Sequence, residues 1–148
     1  MGRVIFTLGS STREPEEFLN LLRQYSIETV LDVRRFPTSQ FEHFRRENLR
    51  ELLEKNGFRY VYLGDTLGGY RDGGYERYTR TDQFKAGLNC LEELAWPRVS
   101  AIMCAEKLPW RCHRRWISLH LESRGWRVIH LIDEDRVWVP KEARGKEK

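Results

Sequence analysis

What most constrains this chain is a repeated change of hydrophobic period, in which short β-favouring runs alternate with amphipathic segments. Val4–Leu8, Thr29–Val33, Tyr60–Leu63, Val99–Met103 and Val128–Ile132 are compact runs of branched and aromatic residues, the composition of buried strands. After Pro15, Glu16 and Glu17, which suit a first helical turn, Phe18, Leu21, Leu22 and Tyr25 fall on one face. Leu49, Leu52 and Leu53 form a stripe closed by Gly57, and Phe84, Leu88, Leu91 and Ala95 align behind Asp82, read as the helix cap. Trp96-Pro97 ends that helix. Trp116, Ile117, His120 and Leu121 share a face between His113 and Arg124, before Gly125. The pattern predicts an α/β fold: one three-layer domain with a mostly parallel sheet of about five strands and helices on both faces. Val137–Val139 reads as a small edge strand, and Gly64 to Arg80 as a long structureless loop.

A length of 148 residues fits one domain, assigned to 1–140, with 141–148 a charged and mobile tail. At 40% hydrophobic residues with five tryptophans, the core needs neither metal nor disulfide support. No apolar run reaches the roughly 18 residues of a membrane span, and the N-terminus lacks a signal-peptide pattern. Three cysteines, Cys90, Cys104 and Cys112, are too few and odd in number for a secreted disulfide framework. A soluble, cytoplasmic chain is expected, with no membrane partner; oligomeric state is not legible. The net charge of +4 permits nucleic-acid binding without predicting it.

Chemistry concentrates in Val99 to Arg115, where a strand passes through a polar turn into a helix. That turn carries Cys104, Glu106, Lys107, Arg111, Cys112, His113 and Arg114, and such junctions suit anions because a helix start leaves N–H groups unpaired. In a parallel sheet, ligands bind beyond the carboxyl ends of the strands. Gly9-Ser10-Ser11, Asp32 with Arg34 and Arg35, the Gly64 to Arg80 loop and Cys104 to Arg114 should therefore meet on one rim.

Each candidate has a functional and a packing reading. Cys104 is a thiolate nucleophile activated by Lys107, Arg111, Arg114 and a helix start, or a small hydrophobe finishing a strand. Asp32 orients a substrate group, or pairs with Arg34 or Arg35; Glu106 is an acid-base group, or the partner of Arg114. Cys104, Cys112 and His113 with Asp32 are conceivable zinc ligands, but adjacent Cys112 and His113 on a helix would point about 100° apart, so no metal and no cofactor is assigned. Reversible pairing of Cys104 with Cys112 is geometrically conceivable. The arginines interleave with Phe36, Tyr70, Tyr75, Tyr78 and Trp110, a mixture that also suits nucleic acid. His120, His130 and Cys90 read as packing residues.

With these residues placed, the chain resembles the family called domain of unknown function 488. The resemblance rests on Gly9-Ser10 with Phe18 and Leu21-Leu22, Val30-Leu31-Asp32-Val33-Arg34, Phe36-Pro37, Leu63-Gly64, Leu67-Gly68-Gly69, Phe84, Gly87-Leu88, Met103-Cys104-Ala105-Glu106 and Cys112-His113-Arg114. It implies an α/β fold and no agreed activity, and the chain departs from the family pattern at Ser10, where a histidine is common. Asp32-Val33-Arg34 and Cys104 with Arg111 also look like rhodanese and cysteine-phosphatase domains, although Cys104 to Arg111 is one residue longer than the phosphatase interval and Pro109-Trp110 replaces glycines.

The resulting expectation is an enzyme with a thiol-containing, anion-binding pocket for a phosphate-bearing small molecule. Cys104, Glu106, His113 and Asp32 form its catalytic set. Ser10, Arg34, Arg35, Gly68, Gly69, Tyr70, Arg71, Lys107, Arg111 and Arg114 bind the substrate. The alternative is a non-catalytic nucleic-acid-binding module using the same rim, and a third reading is a protein-interaction domain.

Overall fold

The computed structural model describes residues 3–36 and 41–139, so Pro37 and the expected tail at 141–148 lie outside the described residues. The elements run β1 (Arg3–Gly9), α1 (Pro15–Gln24), β2 (Thr29–Asp32), α2 (Arg46–Lys55), β3 (Arg59–Tyr62), α3 (Gly64–Leu67), α4 (Tyr75–Tyr78), α5 (Asp82–Ala95), β4 (Ser100–Cys104), α6 (Arg114–Ser123), β5 (Trp126–Asp133) and β6 (Arg136–Trp138). Short 3-10 turns at Glu42–Phe44 and Pro109–Arg111 lead into α2 and α6. The strands form one sheet in the order β3-β2-β4-β1-β5-β6, parallel except for the edge strand β6. This is the expected α/β architecture.

Right-handed crossovers put α1 and α2, which move the chain toward β3, on one face, and α5 and α6, which move it back, on the other. Two cores follow. Leu8, Val30, Ala101 and Met103 pack with Phe18, Leu22, Leu49 and Leu53 beneath α1 and α2. Ile5, Leu31, Ile102, Cys104 and Val128 pack with Phe84, Leu88, Ile117 and Leu121 beneath α5 and α6. The period-2 alternation of strand side chains thus sends the Cys104 sulfur toward α6 and the Asp32 carboxylate toward α1 and α2.

Three expectations need correction. Gly64 to Arg80 is not structureless: α3 and α4 fold within it, because Leu67 and Tyr78 reach the α5 core. The α5 cap is Thr81, whose hydroxyl accepts from the Phe84 N–H at 3.2 Å, and Asp82 is the first helical residue. Cys90 is exposed, since its position turns past the apolar face of α5. Gly57 and Gly125 adopt the left-handed conformation (φ 86° and 97°) expected after helix ends.

Asp32 and Arg34 form the main polar brace under the sheet. Asp32 Oδ1 accepts from the Arg34 N–H at 3.1 Å and Nε at 2.9 Å, while Oδ2 accepts from Arg34 Nη2 at 2.8 Å and the Tyr60 hydroxyl at 2.6 Å. The remaining Arg34 Nη1 donates to the Phe44 carbonyl at 2.6 Å. Both side chains are buried. Breaking such a pair strands one charge in the interior, at a cost of about 3–5 kcal/mol. Asp32→Ala is therefore expected to lower the free energy of urea unfolding by about 3 kcal/mol or more; a loss no larger than that of an ordinary surface change would contradict this account.

Candidate functional site

The loops after β2, β3 and β4 enclose a cavity of about 550 Å3 at the carboxyl edge of the sheet, walled by Arg34, Arg35 and Phe36 from the first loop, Gly69, Tyr70 and Tyr75 from the second, and Cys104 to Glu106 with Arg111 to His113 from the third. A neighbouring cavity of about 640 Å3 shares Ala105, Glu106 and Arg111 with it and is otherwise lined by Ser10, Ser11, Thr12, Phe41, Lys107, Leu108 and Arg136. The second cavity sits where β1 and β4 lie side by side and their connections leave toward opposite faces, the position at which parallel sheets form ligand crevices. Gly9 makes this closeness possible: a Cβ there would stand 1.8 Å from the Glu106 carbonyl oxygen.

At the floor of the first cavity lies Cys104, 1% exposed, with the Glu106 carbonyl oxygen 3.7 Å from its sulfur. Burial alone would push this thiol up, but a hydrogen bond with Cys112, the Arg114 guanidinium and the Glu106 backbone together bring it below the usual thiol value. Burial and the same shared hydrogen bond hold Cys112 well above it. Of the two sulfurs, Cys104 is thus the more easily ionised and Cys112 the one that keeps its proton. The Cys112 sulfur also accepts the Arg114 backbone N–H at 3.4 Å.

Arg114 is fully buried. Its Nη2 donates to the Lys107 carbonyl at 2.8 Å, and its Nε and Nη1 have no hydrogen-bond partner among the described residues. Nor does any carboxylate among those residues lie within ion-pair distance of it, so Glu106 is not its partner. The positive charge instead bears on Cys104, Cys112, His113 and His130.

His113 Nε2 lies 2.8 Å from the Val33 carbonyl oxygen. A carbonyl only accepts, so Nε2 carries the proton and Nδ1 presents its lone pair. Nδ1 lies 3.6 Å from the Cys112 sulfur, and burial followed by the nearby Arg114 and Arg71 charges holds the ring neutral, against the pull of the Val33 carbonyl. The imidazole thus serves Cys112 and reaches Cys104 only through it. Gly69 keeps the ring accessible, because a Cβ there would stand 3.2 Å from Nδ1. Tyr75 packs on the other side, ring centroids 5.2 Å apart.

The remaining candidates divide by position. Arg35 donates to the Tyr70 carbonyl at 2.6 Å and lies over Phe36 at the cavity mouth, where Tyr70 is 83% exposed with φ of 58°. Arg111 and Glu106 are exposed and have no side-chain partner among the described residues. Ser10 and Lys107 face the neighbouring cavity, Lys107 paired with Asp133 at 2.9 Å. Asp32 and Arg34 satisfy each other, which leaves the carboxylate as a brace and not a proton carrier. Gly68 packs under Arg35. Arg71 turns inward, donating to the Gly68 and Asp65 carbonyls at 2.9 and 2.7 Å above the Tyr78 ring. No group of three His, Cys, Asp or Glu side chains among the described residues is arranged to hold a metal ion; Asp32 points to the opposite face from the two thiols. No helix among those residues is long and apolar enough to cross a membrane.

Sequence reasoning named Cys112, Phe36 and Tyr75 near the rim but left them out of the catalytic and substrate-binding sets, whereas all three line the first cavity. It also gave no warning of Arg13, buried between the Gly9 and Ile132 carbonyls (2.9 and 2.5 Å), which ties the first loop to the end of β5.

His130 supplies a pH test of this buried electrostatics. Burial, then the Arg114 charge, pushes it down to about 3, and its Nδ1 lies 2.5 Å from the Thr7 hydroxyl. Above the unfolded value near 6.5 folded and unfolded chains are both neutral at this position, and the contribution is intact. As pH falls from there toward about 3, the unfolded chain binds a proton that the folded one refuses, removing about 1.4 kcal/mol per pH unit. Stability measured by urea unfolding should fall more steeply with acid in the native chain than in His130→Gln; equal slopes would show that His130 titrates normally.

No curated protein and no solved structure matches the chain, so the expected likeness to rhodanese and cysteine-phosphatase domains is not shown. The family described as Domain of unknown function DUF488 matches residues 14–74 and 71–121, a span that takes in Asp32, the α3–α4 loop, Cys104 and the start of α6. The chain is a member of that family.

Proposed function

We propose that this protein is a cytoplasmic enzyme in which the Cys104 thiolate attacks a phosphate-bearing small molecule held in the cavity at the carboxyl edge of the sheet. The observation that carries this reading is the fully buried Arg114 with no carboxylate partner among the described residues, set beside a sulfur at the floor of an open cavity. A guanidinium so placed favours the thiolate, the nucleophilic form. Arg111, on the wall shared by both cavities, binds the substrate's anionic group, with Arg35 at the mouth. Glu106, on the wall shared by both cavities, is the acid-base group nearest the departing group, and His113 takes the Cys112 proton when that thiol must move it. Asp32 and Arg34 act as a positioning brace for the β2 loop. Free thiols agree with a reducing compartment.

A small anion suits this geometry better than nucleic acid. Arg71 and Tyr75, which an outward-facing basic and aromatic rim would need, spend their polar groups on the Gly68, Asp65 and Leu67 carbonyls. Inorganic phosphate should slow iodoacetamide alkylation of Cys104, followed by peptide mass mapping. Arg111→Ala should bind phosphate on the order of tenfold more weakly, as for one lost contact of about 1.4 kcal/mol. A Cys104 that never alkylates, or one that alkylates at the same rate with and without phosphate, would overturn the reading.

A further inference from the structure

We propose that Cys104 and Cys112 form an oxidisable pair, which a hydroperoxide entering the cavity converts into a disulfide. Both cysteines line the same cavity, their side chains share a hydrogen bond, and Cys112 packs against the core cluster that contains Cys104. They come from opposite sides of the Pro109–Arg111 turn, which folds the start of α6 back over the end of β4. The groups that dithiol oxidation needs are also in place: a buried cation beside the attacking sulfur, and a neutral imidazole nitrogen 3.6 Å from the second sulfur. The third cysteine, Cys90, is exposed on α5 and takes no part.

In the first step the Cys104 thiolate attacks the terminal oxygen of the hydroperoxide. The S–O bond forms, the O–O bond breaks, and the departing alkoxide takes a proton from water to leave as an alcohol, so Cys104 becomes a sulfenic acid. In the second step the Cys112 thiol gives its proton to His113 Nδ1 and attacks the Cys104 sulfur. The S–S bond forms, and hydroxide leaves as water with the proton that His113 held. The hydroperoxide is reduced and the two sulfurs are oxidised, each by one electron. The product has no thiolate, so the nucleophile proposed above is withdrawn while the disulfide lasts. This chemistry needs no substrate in the cavity, and its outcome is read separately from phosphate binding.

The full chain is treated with one equivalent of hydrogen peroxide, alkylated, and analysed by mass spectrometry without reductant. Expected are the loss of two hydrogens, a single cross-link joining the Cys104 and Cys112 peptides, and full reversal by dithiothreitol. Cys90→Ser should behave as the native chain, while Cys112→Ser should stop at a sulfenic acid on Cys104 that dimedone traps. If Cys112→Ser does not fold, the native cross-link map decides alone. Three free thiols after treatment, a cross-link through Cys90, or over-oxidation of Cys104 with no cross-link would each overturn the proposal.

Discussion

Arg114 is the point on which this structure turns. A guanidinium removed from water costs several kcal/mol unless an opposite charge compensates it, and the described residues place no carboxylate against this one. What they place there are two sulfurs. The cation helps bring Cys104 below the usual thiol value, and it adds to the burial that holds His113 and His130 neutral. This buried positive charge acts on four neighbours: with the Cys112 hydrogen bond it brings Cys104 below the usual thiol value, with burial it lowers the two imidazoles, and at Cys112 burial and the shared hydrogen bond outweigh it.

The sheet holds that arrangement through two separate braces. On the α1 and α2 face, the Asp32–Arg34–Tyr60 cluster fixes the loop after β2 with every charged atom satisfied. On the other side, Glu106 and Lys107 of the loop after β4 lie so close to the end of β1 that only Gly9 fits there, and Ser10 to Thr12 share a cavity wall with Arg111. The rim residues are therefore held by β-sheet register and buried ion pairing, while the groups left unpaired, Arg111 and Glu106, face the cavities.

Much of this was readable in the sequence, and the boundary follows physical lines. The five parallel strands and the four longer helices carry strong local periodicity, and parallel topology follows from their alternation. Convergence of the strand-end loops follows from the same topology, so Cys104, Glu106, Arg111 and His113 could be assigned to one edge. Their division of labour could not, because it depends on which face each strand residue takes and on atoms far apart in sequence. Asp32 stood open between orienting a substrate group and pairing with Arg34 or Arg35 until the positions of Arg34 and Tyr60 showed both its oxygens engaged. Arg71 looked like a surface cation until α3 and α4 folded around it. Their helical signal is short, because each spans four residues and depends on packing against α5.

The claim that Arg114 lowers the Cys104 thiol is tested most directly by the ultraviolet absorbance of the thiolate, titrated in the native protein and corrected with Cys104→Ser. The account predicts a midpoint below the free-thiol value of about 8.5 that moves upward in Arg114→Leu. A native midpoint at or above that value would mean that the sulfur is protonated at rest and that the buried cation is balanced by something else.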